Sequence, residues 1–169
     1  MSILRLSVAP REHIGIIITL IDDFYQYTEH LYGKGHTRLS DPANHFYYRM
    51  SRQSGHTQAG AVLYKHYRNL ETGDYQLHIL DRTREVEELN RRLNGLGLQI
   101  PKTRLMQSGI TTLHQMRDAP DFLRGRKQPS AVVFHDTLWR GGPAAPDVKE
   151  VISRLEESSA CPPRAIFLG

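Results

Sequence analysis

Residues 75–98, YQLHILDRTREVEELNRRLNGLGL, decide the fold class of this chain. At its start, apolar and polar side chains alternate, which is typical of a half-buried β-strand. The remainder places Val86, Leu89 and Leu93 at helical spacing, and this spacing indicates an amphipathic helix. Gly95 predicts the end of that helix. A strand followed directly by a helix is the unit from which parallel sheets are built.

The alternation of strand and helix continues along the rest of the sequence. We predict strands near 98–106, 131–134 and 165–168, and helices around 110–117 and 146–157. Residues 131–134, AVVF, are apolar throughout, as expected of a strand that is buried on both faces. This part of the chain therefore predicts a mostly parallel sheet with right-handed crossovers.

An N-terminal amphipathic helix is predicted ahead of the sheet. Pro10 suits the first turn of a helix, and apolar residues recur at helical spacing from Ile14 to Tyr32. Gly33 predicts its end. Residues 3–8, ILRLSV, form a short candidate strand before it.

An antiparallel hairpin is predicted between the N-terminal helix and the strand-helix units. The candidate strands are 45–52, 59–68 and 74–81. A short connection at 69–73 would join the second and third of them. The expected architecture is a single α/β domain over residues 1–169. Its mixed sheet has an antiparallel hairpin part at about 45–81 and continues into alternating units at about 75–168.

Composition excludes several classes of protein. The chain has 169 residues, of which 39% are hydrophobic and 24% charged, values typical of a globular domain. The longest apolar run, 14–21, is too short to span a bilayer, and no basic segment precedes it, so we expect neither a membrane segment nor a signal peptide. Cys161 is the only cysteine, which excludes an internal disulfide. We expect a cytoplasmic location, no cofactor and no metal site.

Positive charge and tyrosine are concentrated in one part of the chain. The net charge is +4, but residues 34–68 alone hold six Lys or Arg and a single Asp. All eight tyrosines lie in the first half. Cations offset phosphate charge and rings stack on bases, so this segment favours single-stranded nucleic acid or another phosphate-bearing ligand. The predicted phosphate contacts are Arg38, Arg49, Arg52, Lys65 and Arg68, and the predicted stacking residues are Tyr47 and Tyr67.

A protein partner is an equally suitable occupant of a sheet surface of this kind. Tyrosine and arginine anchor protein interfaces, so the chain would then be an adaptor subunit of a larger assembly. If the N-terminal helix covered the sheet, the surface would be buried and neither binding function would use it. The sequence does not indicate the oligomeric state.

An enzyme is the third class that the sequence allows. In open α/β sheets, ligands bind beyond the carboxyl ends of the strands, and this rule selects Asp81, His135 and Asp136. If the chain acts on a nucleotide or phosphoester, His135 would be the general base. Asp136 would then orient His135 or hold a metal. Asp81 and Asp136 suit helix or loop capping equally well.

Overall fold

The computed structural model describes residues 10–49, 56–119 and 121–169, and within them the chain forms a five-stranded parallel sheet. Its strands are β1 (His45–Tyr48), β2 (Leu77–Leu80), β3 (Ile110–Thr112), β4 (Val132–His135) and β5 (Ala165–Leu168). The α-helices are α1 (Pro10–Tyr32), α2 (His56–His66), α3 (Thr83–Gly95), α4 (Leu113–Asp118) and α5 (Pro146–Glu156). Helix and strand therefore alternate from α1 to β5.

The strands lie side by side in the order β1-β5-β4-β2-β3. From β2 the chain moves outwards to β3, and from β4 it moves in the opposite direction to β5. The direction of winding therefore reverses between β2 and β4, which are hydrogen-bonded neighbours with Leu77 opposite Val132.

Helices cover both faces of the sheet. α1, α2 and α3 pack on one face, whereas α4 and α5 pack on the other. The connections from β1 to β2 and from β2 to β3 run towards β3, and their helices α2 and α3 lie on the first face. The connections from β3 to β4 and from β4 to β5 run the opposite way, and their helices α4 and α5 lie on the second face. Crossovers of constant handedness require this arrangement. Because α2 leads from the end of β1 to the start of β2, it begins at the carboxyl edge of the sheet and ends at the amino edge.

The core depends on the inward side of α1. Ile17 and Ile21 are fully buried, and Phe24 and Leu31 nearly so. Burying an aliphatic side chain of this size contributes roughly 2 kcal/mol. The predicted N-terminal helix and its apolar face are confirmed.

Within the described residues, no helix has the length and apolarity needed to cross a membrane.

The α/β class is confirmed, but the predicted antiparallel hairpin is wrong. Residues 59–68, the expected middle strand, belong mostly to α2. The segment is helical because Ala59 and Leu63, four residues apart, pack with α1 on the sheet, while Ala61 and Tyr64 turn towards α3. β1 lies within the first candidate strand, yet its partner is β5, in parallel.

Two further boundaries differ from the predictions. Residues 98–106 do not form a strand but a loop with a short 3₁₀ turn at Lys102–Arg104. The third strand begins at Ile110, where a helix was expected, and α4 begins at Leu113. The candidate strand at 3–8 lies outside the described residues.

Candidate functional site

The carboxyl edge of the sheet between β2 and β4 is the candidate site. In parallel α/β sheets, ligands bind in the crevice where the direction of winding reverses. Asp81 follows β2 directly, His135 ends β4, and Asp136 comes next in the chain. The structure thus brings the three residues of the enzyme hypothesis to the ends of two neighbouring strands.

Asp81 is joined to the loop after β4 by an arginine. Arg140 lies 3.0 Å (Nη1 to Oδ1) from Asp81 and 2.8 Å (Nη2 to Oδ2) from Asp147, the second residue of α5. Asp81 also lies 3.5 Å from the Arg82 Nε. One guanidinium, held by two carboxylates, therefore connects the ends of β2 and β4 to the first turn of α5.

The backbone after β4 is strained. Asp136 has φ +54°, the only non-glycine residue with positive φ in the described part of the chain. This conformation costs an L-residue about 1–2 kcal/mol, although aspartate tolerates it better than most. The next side-chain hydroxyl, on Thr137, is buried and has no hydrogen-bond partner within the described residues. Strain and unpaired buried polar groups are both enriched at functional sites.

His135 is buried between the sheet and α2. Its Nε2 lies 2.9 Å from Nδ1 of His78, which is fully buried on β2. α2 passes over the imidazole at Gly60, where a Cβ would lie 2.4 Å from His135 Cε1. The absence of a side chain at Gly60 is what allows this approach.

A row of polar groups continues from His78 towards the amino edge. His78 Nε2 lies 3.2 Å from Gln76 Oε1, and Gln76 Nε2 donates to the Tyr25 hydroxyl over 2.8 Å. The Tyr25 hydroxyl lies 3.3 Å from Ser130 Oγ, which donates to the backbone carbonyl of Tyr75 over 3.2 Å. His135, His78, Gln76, Tyr25 and Ser130 are called the polar row below.

Burial keeps His78 and Tyr25 of the polar row uncharged. It lowers the pKa of His78 well below its ordinary value, and the neighbouring His135 lowers this pKa further. Burial likewise raises the pKa of Tyr25, partly offset by its hydrogen bonds to Ser130 and Gln76. His78 is therefore neutral at physiological pH.

The basic residues of the nucleic-acid hypothesis do not share one sheet surface. Arg49 is exposed at the carboxyl end of β1, whereas Arg68 follows α2 and lies at the amino edge, where it donates to the Tyr64 hydroxyl. Lys65 is exposed on α2 and donates to the Leu96 carbonyl. Arg38 is exposed in the loop after α1. Arg52 lies outside the described residues.

The two predicted stacking residues have different environments. Tyr47 is 48% exposed on the edge strand β1, and its ring stacks on Phe167 at 5.3 Å. Tyr67 packs against Tyr25, and its hydroxyl donates to Asp22 over 2.7 Å. Burial, followed by the Asp22 carboxylate, raises the pKa of Tyr67. Only Tyr47 of this pair presents its ring at the surface.

A depression lies at the amino edge. It has a volume of about 500 Å³, and Arg68, Arg126 and Lys127 contribute to its lining. Lys127 is paired with Asp74 at 2.5 Å, and Arg126 donates to the carbonyl of Gln107 over 3.2 Å and lies over the Phe122 ring. Each cation of this depression is therefore already bonded within the chain.

The sequence did not identify Gln76, His78, Arg140 or Gly60 as residues of the candidate site. Gln76 and His78 were assigned to the wet face of a half-buried strand, because their alternation with apolar residues resembles that pattern. Arg140 precedes two glycines in the loop after β4, and no local signal links it to Asp81. Gly60 has no sequence signal beyond its place between two alanines.

Comparison with known proteins assigns no family to the chain. No protein-family model matches it, and no curated protein does. Within the described ranges, no group of three or more His, Cys, Asp or Glu side chains is placed to hold a metal ion. The case for function consequently depends on the geometry of the carboxyl edge.

Proposed function

We propose that this protein is an enzyme acting on a nucleotide or another phosphoester, with its site at the carboxyl edge between β2 and β4. The observation that carries the proposal is that the winding reverses between the two strands that end in Asp81 and His135. This position is the usual ligand crevice of open parallel sheets. The strained Asp136 and the unpaired Thr137 hydroxyl support the same location.

Four side chains have roles in this proposal. Arg140 supplies the guanidinium for a phosphate group, which must replace Asp81 or Asp147 as its partner, because these carboxylates hold both Nη atoms in the ligand-free protein. Asp81 and Asp147 hold Arg140 in place. His135 is the general base that accepts a proton from the attacking water or hydroxyl.

We assign orientation of the base to the polar row, because His135 Nε2 lies 2.9 Å from His78 Nδ1. Asp136 contributes the left-handed turn that leads from β4 to the Thr137–Arg140 loop.

The binding step is tested by the thermal stability of the purified chain with a panel of nucleotides and sugar phosphates. A ligand at a hundred times its Kd stabilises the folded state by about 2.7 kcal/mol. We expect at least one panel member to raise the Tm, and Arg140→Ala to weaken its binding about tenfold or more. Arg154→Ala is the matched control, because in the described part of the chain Arg154 is paired with Glu150, four residues earlier on α5. No rise in Tm with any panel member would contradict the proposal.

The chemical step is tested with the panel member that binds. His135→Gln is expected to lower turnover about a hundredfold, as for loss of a general base, with little change in affinity. Circular dichroism and the Tm show whether this variant is folded. Unchanged turnover in the folded variant would remove His135 from the mechanism.

A second candidate function, assembly with further copies of this chain, is favoured by the outer side of α1. Ile16, Leu20 and Tyr27 are 48%, 40% and 54% exposed and share one side of the helix. Exposed apolar stripes commonly mark interaction surfaces. Association with further copies of this chain is tested by sedimentation over a range of concentrations. We expect concentration-dependent association that Leu20→Lys abolishes, and monomers for both proteins would contradict self-assembly.

A further inference from the structure

We infer that the polar row is a one-directional chain of hydrogen bonds that fixes the tautomer of His135, with the proton on Nε2 and an unprotonated Nδ1. His78, Gln76, Tyr25 and Ser130 are then positioning residues. The use of Nδ1 as a base rests on the proposed function, but the direction of the chain does not.

The direction of the hydrogen-bond chain is set at the amino edge by a backbone carbonyl, which accepts hydrogen bonds but cannot donate one. The backbone carbonyl of Tyr75 has no proton, so the bond over 3.2 Å uses the single hydroxyl proton of Ser130. The bond between Ser130 and Tyr25 must therefore use the proton of Tyr25. The Tyr25 oxygen is left to accept, and the group 2.8 Å away that can donate is the Gln76 amide nitrogen.

The orientation of Gln76 passes this direction on to His78. With its nitrogen on Tyr25, Gln76 presents its oxygen to His78 Nε2, 3.2 Å away. An amide oxygen only accepts, so His78 carries its proton on Nε2. Since burial keeps His78 neutral, its Nδ1 has a lone pair and accepts from the neighbouring strand.

His135 is the end of the chain at the carboxyl edge. The 2.9 Å contact between His135 Nε2 and His78 Nδ1 requires one proton, and His78 has none to give at that atom. His135 therefore donates from Nε2. A neutral imidazole protonated at Nε2 has an unprotonated Nδ1, which is the nitrogen that a general base needs.

The surrounding packing holds each member in place. The Tyr64 ring lies edge-on to His78 at 5.3 Å. Arg164, also buried, donates to the Ser130 carbonyl over 3.3 Å, and its guanidinium lies 4.2 Å from the centre of the Tyr25 ring. Reversal of the chain would need the Gln76 amide to flip within this packing. A single carbonyl near the start of β2 thus orients a histidine at the opposite edge of the sheet.

Nitrogen NMR of the histidine side chains in the ligand-free protein tests this inference. We expect the proton of His135 on Nε2, protected from exchange with water, and a coupling across the hydrogen bond to His78 Nδ1. His78 should carry its own proton on Nε2. A proton on Nδ1 of either residue would overturn the inference. Because no ligand is present, this result does not depend on whether nucleotides bind.

Two pairs of variants test the individual links. His78→Asn places an amide oxygen close to the position of Nδ1, so the protected His135 Nε2 proton should remain, whereas His78→Leu should lose it. Ser130→Ala removes the group that fixes the direction, and we expect both tautomers of His135 to be populated. The exposed Ser159→Ala is the control and should leave a single tautomer. An unchanged tautomer in Ser130→Ala would show that the Tyr75 carbonyl does not set the direction.

Discussion

Gly60 is the residue on which the position of His135 most directly depends. Helix α2 presents only backbone to the imidazole there, and a Cβ would overlap His135 Cε1 at 2.4 Å. The neighbouring ring cannot move freely, because its Nε2 is bonded to His78. A glycine inside a helix usually costs stability relative to alanine, so its presence at this position reflects packing.

We expect Gly60→Ala to destabilise the protein by about 1–3 kcal/mol, as for other overpacking substitutions in a core. Gly15→Ala in α1 is the control, because a Cβ there meets no atom within 4 Å. The control should gain about 0.5–1 kcal/mol, since alanine is the better helix former. Urea unfolding measures both changes. A gain in stability for Gly60→Ala would contradict the packing described for His135.

His78 makes stability depend on pH. Its pKa is depressed in the folded protein, so the unfolded chain binds more protons once the pH falls below about 6.5. The free energy of unfolding is therefore highest above that pH and decreases on acidification, by up to about 1.4 kcal/mol per pH unit for one proton. His45, whose pKa burial also lowers, adds to this slope.

We expect His78→Asn to reduce the slope of the unfolding free energy against pH by up to the contribution of one proton. Urea unfolding between pH 5 and pH 7 measures this slope. His66→Asn, on the exposed surface of α2, is the control and should retain the slope. An equally steep slope in His78→Asn would show that His78 is not the buried neutral histidine described above.

At the scale of elements, helices with a single apolar face could be predicted, whereas the helix that packs between two other helices could not. α1, α3 and α5 have a single apolar face, and their positions were predicted closely. α2 packs on α1 through Leu63 and on α3 through Tyr64, so its apolar residues do not form the single stripe that marks a helix. Within β2, His78 belongs to the buried polar row. Its alternation with apolar residues is the same pattern that a solvent-exposed strand face would give.

Pairing between distant segments also had no local signal. β1 was placed correctly in the sequence, but the register His45 opposite Ala165 joins segments far apart in the chain. The rule on strand ends selects Asp81, His135 and Asp136, which the structure places at the ends of β2 and β4. It could not supply Arg140 or the polar row, because those contacts depend on which strands are neighbours.

The two sides of α1 give a test of its orientation. Ile21 is fully buried, while the adjacent Leu20 is 40% exposed. We expect Ile21→Ala to cost about 2–5 kcal/mol and Leu20→Ala to stay within about 0.5 kcal/mol of the wild type. Chemical denaturation measures both. Similar losses for the two variants would contradict the assignment of the inward face.

At the scale of the whole molecule, the sheet has two chemically different edges. The carboxyl edge holds Asp81, Arg140 and Asp147, whereas the depression at the amino edge is lined by Arg68 and its neighbours. Arg49 and Arg68, grouped together by the sequence, lie at opposite edges. Binding of single-stranded nucleic acid remains a prediction. Because Arg49 and Arg68 lie at opposite edges, variants of the two residues can show which edge is used.

We expect that a polynucleotide bound at the carboxyl edge responds to Arg49→Ala but not to Arg68→Ala. The logarithm of the affinity for single-stranded RNA, plotted against the logarithm of salt concentration, should lose about one unit of slope in the first variant. Arg68→Ala removes one positive charge at the opposite edge and is therefore the charge-matched control. Equal losses in the Arg49 and Arg68 variants would contradict binding at one edge, and no binding by the wild type would remove this function.

The parallel pairing of β1 with β5 has a consequence for synthesis of the chain on the ribosome. β5 lies between β1 and β4, so β1 cannot join the sheet until residues 165–168 have been made. Until then Ile17, Ile21 and Phe24 of α1 lack the β5 residues Ile166 and Leu168 that share their cluster. Exposed apolar segments of incomplete chains are prone to aggregate. The apolar face of the N-terminal helix therefore stays incompletely covered until the last strand has been synthesised.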